Sequence, residues 1–400
     1  MGNNIIDIIE GKLCCGCGVC INTCPTAALK YSKDREYFLI PEIDLKKCIL
    51  CGKCRTVCPS LVNKLNSPQK VFAAVNCNKE VLVNSSSGGI FYSIASLILD
   101  RDGVVYGTEM TSDFQVQCAR IDNIKDLPRL QKSKYVQSFM GATYESISKD
   151  LRAGKSVLFS GTPCQVSAVK NYVGPLDQRK LLTVDVVCHG VPSQDLFDDY
   201  IGYLGKKIGK VKAFQFRAKK NASNNMNWFF SFQTIRMKKN SIRNWTEDSY
   251  NYNYMMGNVY RESCYSCQYA RQERASDITL CDFWHWDASL KEQFDKNDSV
   301  SGILINTEKG DMFMEMIKKN LKMANSHFND VAAHNSCLVE PCKRPQVRDH
   351  ILKLWIDRGY EAIDNEFVNQ NKLEIFKGII RRHIPSWIYM FLAKVKGKIL

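Results

Sequence analysis

Several familiar signals are missing from this 400-residue chain. Met1 to Lys12 has no basic stretch leading into an apolar one, so no secretory signal is expected. No apolar run reaches the length needed to span a bilayer. There is no GxGxxG fingerprint of a dinucleotide fold, and no recognised nucleic-acid-binding motif accompanies the formal charge of +14. Acidic residues stop at Glu374. These gaps point away from a secreted, membrane-spanning or nucleic-acid-binding protein. Cytoplasmic residence is expected, with peripheral contact to the inner face of a membrane as an option.

Cysteine is abundant, at eighteen. Eight of these residues form two matched runs. Cys14, Cys17, Cys20 and Cys24 precede Pro25, and Cys48, Cys51, Cys54 and Cys58 precede Pro59. This is the two-cluster bacterial ferredoxin spacing, in which the fourth cysteine of each run ligates the other cluster. Cluster I is therefore assigned to Cys14, Cys17, Cys20 and Cys58, and cluster II to Cys48, Cys51, Cys54 and Cys24. Zinc sites and disulfide scaffolds lack that crossing ligand. Cysteines in this pattern fit a reducing compartment. Cys15 is off the spacing and reads as a spectator. Residues 27–31 and 37–41 read as a hairpin over the clusters.

Length suggests two or three domains. The expected organisation is a ferredoxin module at 1–66, body regions at 70–150 and 155–345, and a helical basic tail at 346–400. Residues 71–75 and 104–107 read as strands flanking a helix over Ile90–Leu99, with Gly103 as its C-cap. Ser86, Ser87, Gly88 and Gly89 would sit at that helix's N-terminus, where backbone N–H groups hold an anion such as a cofactor phosphate. An ordinary serine N-cap is the plain alternative.

Residues 156–160 and 181–187 read as parallel strands joined by a helix, with Ser193 capping the next helix. Their C-terminal ends then share one edge of the sheet, and so do Cys164 and Cys188. Cys264 and Cys267 add a CxxC. These four thiols are candidates for a third [4Fe-4S] cluster; a zinc ion and unrelated core cysteines are the alternatives. Cys281, Cys337 and Cys342 are substitute ligands, while Cys77 and Cys118 read as core thiols. His189 beside Cys188 is a proton-relay candidate or a structural histidine. The run Asp282-Phe283-Trp284-His285-Trp286-Asp287 either walls a planar cofactor or packs the core. In the tail, Lys377, Arg381, Arg382, Lys394, Lys396 and Lys398 flank apolar residues 384–393, as in an interfacial helix or one docked on the body.

Several of these segments together resemble the coenzyme F420 hydrogenase/dehydrogenase beta subunit family. They are Ser86-Ser87-Gly88-Gly89, Lys134-Tyr135-Val136-Gln137-Ser138, Gly161-Thr162-Pro163-Cys164-Gln165, Cys188-His189-Gly190-Val191-Pro192-Ser193, Cys264-x2-Cys267, and Ala275-Ser276-Asp277-Ile278 before Asp282-Phe283-Trp284. They span roughly residues 70–310, and a ferredoxin module in front is a common fusion in that family. The resemblance implies an α/β fold: an α+β ferredoxin-like module, a mixed α/β flavin-binding body and a helical tail. It implies FAD beside the third cluster, with Ser86, Ser87, Gly88, Gly89, Gly161 and Thr162 as cofactor-binding residues. Electrons would pass between clusters, flavin and an organic partner such as a deazaflavin. The alternative is a non-catalytic subunit that relays electrons to a redox partner protein. Two departures stand out. Arg217-Ala218-Lys219 and Asn227-Trp228 replace the usual Arg-Asp-Lys and Gly-Trp. Cys281 and His285 occupy positions that are glycine in the family. For the bare charge, three oxidised clusters at about −2 each would bring +14 to roughly +8, suited to an acidic redox partner.

Overall fold

The computed structural model describes residues 3–174, 178–219, 229–286, 289–295 and 298–383. Asn227, Trp228, Asp287 and the tail from residue 384 lie outside them, and with these the apolar segment 384–393 and Lys394, Lys396 and Lys398. Thirteen strands are described. β1 (Leu29–Lys33) and β2 (Leu39–Ile43) form the antiparallel hairpin of the cysteine-rich module. An eight-stranded sheet takes β3 (Lys70–Asn76), β4 (Val104–Met110), β5 (Val116–Ile121), β6 (Val157–Gly161) and β7 (Leu181–Val186). A separate sheet holds β8 (Val211–Gln215), β9 (Phe229–Thr234) and β10 (Ser241–Asn244). β11 (Ile278–Asp282), β12 (Ser301–Ile305) and β13 (Leu321–Asn325) complete the large sheet in the order β13-β3-β12-β11-β7-β6-β4-β5. The fold is mixed α/β, as expected, and residues 70–150 and 155–345 contribute strands to the same sheet.

The centre of that sheet is parallel. β6 runs parallel to β4 and β7, and β7 parallel to β11. Strands buried on both faces need apolar side chains throughout, and Val157, Leu158, Phe159, Leu181, Leu182 and Val184 supply them. Their C-terminal ends converge on one edge. The helix Pro163–Val173 leaves β6 through a capping box, in which the Thr162 side chain meets the N3 backbone and the Gln165 side chain accepts from the Thr162 N–H. Ser193 caps Gln194–Ile208 by accepting from the Leu196 N–H.

The helix Ile90–Leu99 forms as read, but its exit differs. Asp102, at φ 58°, takes the left-handed turn. Gly103 serves close approach instead, since a Cβ there would stand 2.7 Å from Ile98 and 2.8 Å from the Ser156 carbonyl. A second core joins the β8–β10 sheet to the helices after it. Phe197, Tyr200, Phe214, Phe230, Tyr250, Trp355 and Tyr360 fill it. The last described helix, Lys372–His383, seats Gly378 against Thr246 and Glu247 while Leu373, Phe376, Ile379 and Ile380 face outward. Among the described residues, no helix is long and apolar enough to cross a membrane.

Candidate functional site

The cysteine-rich module is bolted to the body along its first ligand loop. Tyr144 donates to the Cys17 carbonyl at 2.9 Å, Ser263 to the Cys14 carbonyl at 3.0 Å and Gln137 to the Cys15 carbonyl at 3.1 Å. Arg261 reaches the Leu39 carbonyl at 2.8 Å and Gln137 at 2.6 Å, with its guanidinium over the Phe38 ring. Fully buried Arg348 pairs with Glu36 at 2.6 Å. These contacts fix which cluster faces inward. Cys17, Cys20 and Cys58 are buried, and the charges of Cys20 and Cys58 are felt at Cys17, those of Cys14 and Cys58 at Cys20. Cys54 senses Cys48 and Cys51, and Cys51 is exposed. The two groups are those assigned to clusters I and II.

The carboxyl edge of the large sheet opens into a cavity of about 870 Å³. Cys164, Cys188, Cys264 and Cys267 all line it, although they come from three separate segments. They are close enough to affect one another. Burial, then the charges of Cys264, Cys164 and Cys267, raises the Cys188 thiol well above its ordinary pKa. Burial and Cys267 push Cys264 up to about 12. Such thiols stay protonated until a metal centre takes them as thiolates and releases the protons. Cys164 lies in the first turn of its helix, 3.3 Å from the Thr162 hydroxyl. Among the described residues, no three His, Cys, Asp or Glu side chains close around one point as a single ion requires. Thiolates around a four-iron core stand farther apart than that.

Cys15 is not remote from this chemistry. It lies within hydrogen-bonding reach of both Cys164 and Cys17, at the junction of the module and the cavity. The spectator reading gives way because the grip on residues 14–17 presses that loop against the sheet edge. Cys77 also departs from expectation. It follows the end of β3 and is exposed, not a core thiol. Cys118 packs against a core as read. Cys337 and Cys342 line the cavity beyond Cys267, and burial pushes Cys337 up to about 11.

The opposite wall carries the serine–glycine loop. Ser86, Ser87 and Gly89 line the cavity, as do Gly161 and Thr162. Gly88 does not; it packs where a Cβ would meet the Ala74 carbonyl at 2.5 Å. The N-cap of Ile90–Leu99 is Gly89, at φ 79° and without a side-chain cap, so the serine-cap alternative does not hold. Ser86 accepts from the Ser133 N–H at 3.0 Å, and Lys219 holds the loop by donating to the Leu82 and Ser87 carbonyls at 2.9 and 2.8 Å. Lys132 and Lys134 join this wall, and burial pushes Lys134 down to about 7.

Aromatic side chains close the far end. Tyr135 and Tyr254 stack at 4.1 Å and 9°. Arg217 makes a two-pronged pair with Asp282, at 2.7 and 3.1 Å, below Trp284. The aromatic run after β11 splits its duties: Phe283 and Trp286 enter the core, while Trp284 and His285 line the cavity. His285 keeps a left-handed backbone, φ 55°, and its ring meets His334 at 4.4 Å. Cys281 is accommodated by its cross-strand neighbour Gly302, where a Cβ would stand 2.7 Å from the sulfur. His189 also faces the cavity, and burial lowers its pKa, keeping the ring neutral.

Comparison with known proteins agrees with this layout. Residues 154–330 match the family model for the C terminus of the coenzyme F420 hydrogenase/dehydrogenase beta subunit. Residues 13–62 match that of a 4Fe-4S dicluster domain. The chain carries the C-terminal region of this beta-subunit family behind an iron–sulfur dicluster domain. No curated protein matches. Among solved structures, a chain of the F420-reducing [NiFe] hydrogenase complex from Methanosarcina barkeri is similar at 17% identity and a TM-score of 0.44, over 76% of this chain and 94% of that one.

Arg261, Arg274 and Tyr144 were not singled out by the sequence. Each acts through one long-range contact, which leaves no local spacing to read.

Proposed function

We propose that this protein is an iron–sulfur flavoprotein that moves electrons between the dicluster domain and an organic partner of deazaflavin or similar type. The observation that carries this reading is a single cavity. It collects the thiols of Cys164, Cys188, Cys264 and Cys267, the inward ligand loop of cluster I and a cationic serine–glycine wall.

The residues fit the groups. Four mutually close thiols are the donor set of a [4Fe-4S] cluster. The cavity volume falls within the usual range for cofactor sites, and its aromatic end suits a planar ring. The buried Gln131 Nε2 and Ser138 Oγ have no hydrogen-bond partner and lie along the same cavity, and such orphaned groups call for a polar ligand. Lys132, Lys134 and the exposed N–H groups of the first turn of Ile90–Leu99 would hold the cofactor's phosphates. FAD bound there would supply the exchange between single electrons and electron pairs.

The protein's own part is placement. Tyr144, Gln137, Arg261 and Ser263 hold the Cys14–Cys17 loop against Cys164, so the inner cluster faces the third. Thr162 gives the Cys164 sulfur a hydrogen bond that favours its thiolate. His189, kept neutral, has a ring nitrogen able to give or take a proton. Cys164→Ala, prepared and reconstituted without oxygen, should lose about four irons and keep the dicluster spectrum. Unchanged iron content would show that Cys164 is not a ligand.

A further inference from the structure

The two ferredoxin loops meet different surroundings. The Cys14–Cys20 loop is clasped by the body. The Cys48–Cys54 loop faces solvent, and Cys51 is exposed. Beside it stand Leu45, 64% exposed, Ile49, 64%, and Leu50, 51%. Three large aliphatic side chains turned outward within six residues form a patch with no partner in the fold. Leu50 is held there at φ 53°, a left-handed backbone that branched side chains rarely adopt. Exposed Lys46, Lys47 and Lys53 surround the patch, and Asp44 is the one carboxylate between residues 44 and 54.

We infer that this loop is the docking surface for a small acidic one-electron carrier protein, which exchanges electrons with cluster II. The inference rests on the proposed wiring of the dicluster domain into the cavity. Cluster I is enclosed, so an outside protein can come close only to cluster II. The apolar centre excludes water at the contact, and the lysine ring complements carboxylates. A second copy of this chain suits the patch badly, because its formal charge is +14. The step balances simply. One electron leaves the carrier's reduced centre and enters cluster II, and no bond or proton changes place.

Reduced flavodoxin, an acidic carrier, serves as the probe in anaerobic stopped-flow, with dithionite as the small-molecule control. The bimolecular rate should fall about tenfold between about 50 mM and about 300 mM NaCl, as steered encounters do. Lys46→Glu/Lys47→Glu/Lys53→Glu should slow it about tenfold at low salt, and the matching Gln triple, which keeps side-chain size, by less. Dithionite should reduce native protein and both variants equally. Equal flavodoxin rates for native protein and variants, or a rate indifferent to salt, would overturn the docking surface. Failure of dithionite to reduce the native clusters would overturn the wiring itself.

Discussion

Arg274 offers the deepest test of how the cavity is held together. It is 1% exposed and pairs with Asp185, which is 0% exposed, at 3.2 Å. Its guanidinium also donates to the Tyr269 carbonyl at 2.8 Å and to Thr279 at 3.3 Å. Its backbone exchanges two hydrogen bonds with Asn66, where the chain leaves the dicluster domain. One residue thus ties the Cys264–Cys267 loop to β7, to β11 and to the module. Arg274→Met keeps the volume and removes the charge, leaving a buried carboxylate alone. Breaking such a pair costs about 3–5 kcal/mol, or a melting shift of roughly 10 °C. Burial already raises the Asp185 pKa above 3.8, and Arg274 opposes that rise. Without it the folded-state pKa climbs further. Between the unfolded value and the raised one the folded state then binds more protons, so the variant's stability falls as pH rises and recovers toward acid. Anaerobic thermal melts at about pH 6 and about pH 8 would show a larger deficit at the higher pH. Asp185→Asn combined with Arg274→Met removes both charges and should recover most of the loss. A variant that melts within about 2 °C of native, with no gain in the double substitution, would refute the reasoning.

Two further outcomes follow from the cavity walls. Lys134 sits near neutrality because burial pushes it down to about 7; a bound phosphate should pull that value up, so FAD affinity should fall as pH rises from about 7 to about 9, by up to about tenfold per pH unit. A dissociation constant flat across that window, by fluorescence titration, would exclude Lys134 as a phosphate partner. Gly302→Ala places a Cβ 2.7 Å from Cys281 and 2.8 Å from Val331; overpacking there should cost about 1–3 kcal/mol, and Cys281→Gly in the same background should return part of it in denaturant melts.

What could be read from the sequence was what local spacing encodes. The ferredoxin runs carry their geometry in two- and three-residue intervals, and the apolar runs ending at Gly161 and Val186 announce buried parallel strands. From those alone, Cys164 and Cys188 belong on one edge. Contacts that depend on register were not legible. Gly302 opposite Cys281 is a property of strand pairing. Cys15 beside Cys164 depends on how the module docks, and so do Arg261 and Arg348, whose partners are hundreds of residues away. Cys77 looked like a core thiol because it follows an apolar strand, yet the strand ends one residue earlier. Asp102 took the turn expected of Gly103, because the glycine was needed for close packing.

The central claim is that the large sheet's carboxyl edge houses a third cluster and a flavin in line with the two ferredoxin clusters. Iron and flavin determined on one anaerobic preparation of the full chain test it most directly. The account predicts about twelve irons and about one FAD per chain. About eight irons and no flavin would contradict it.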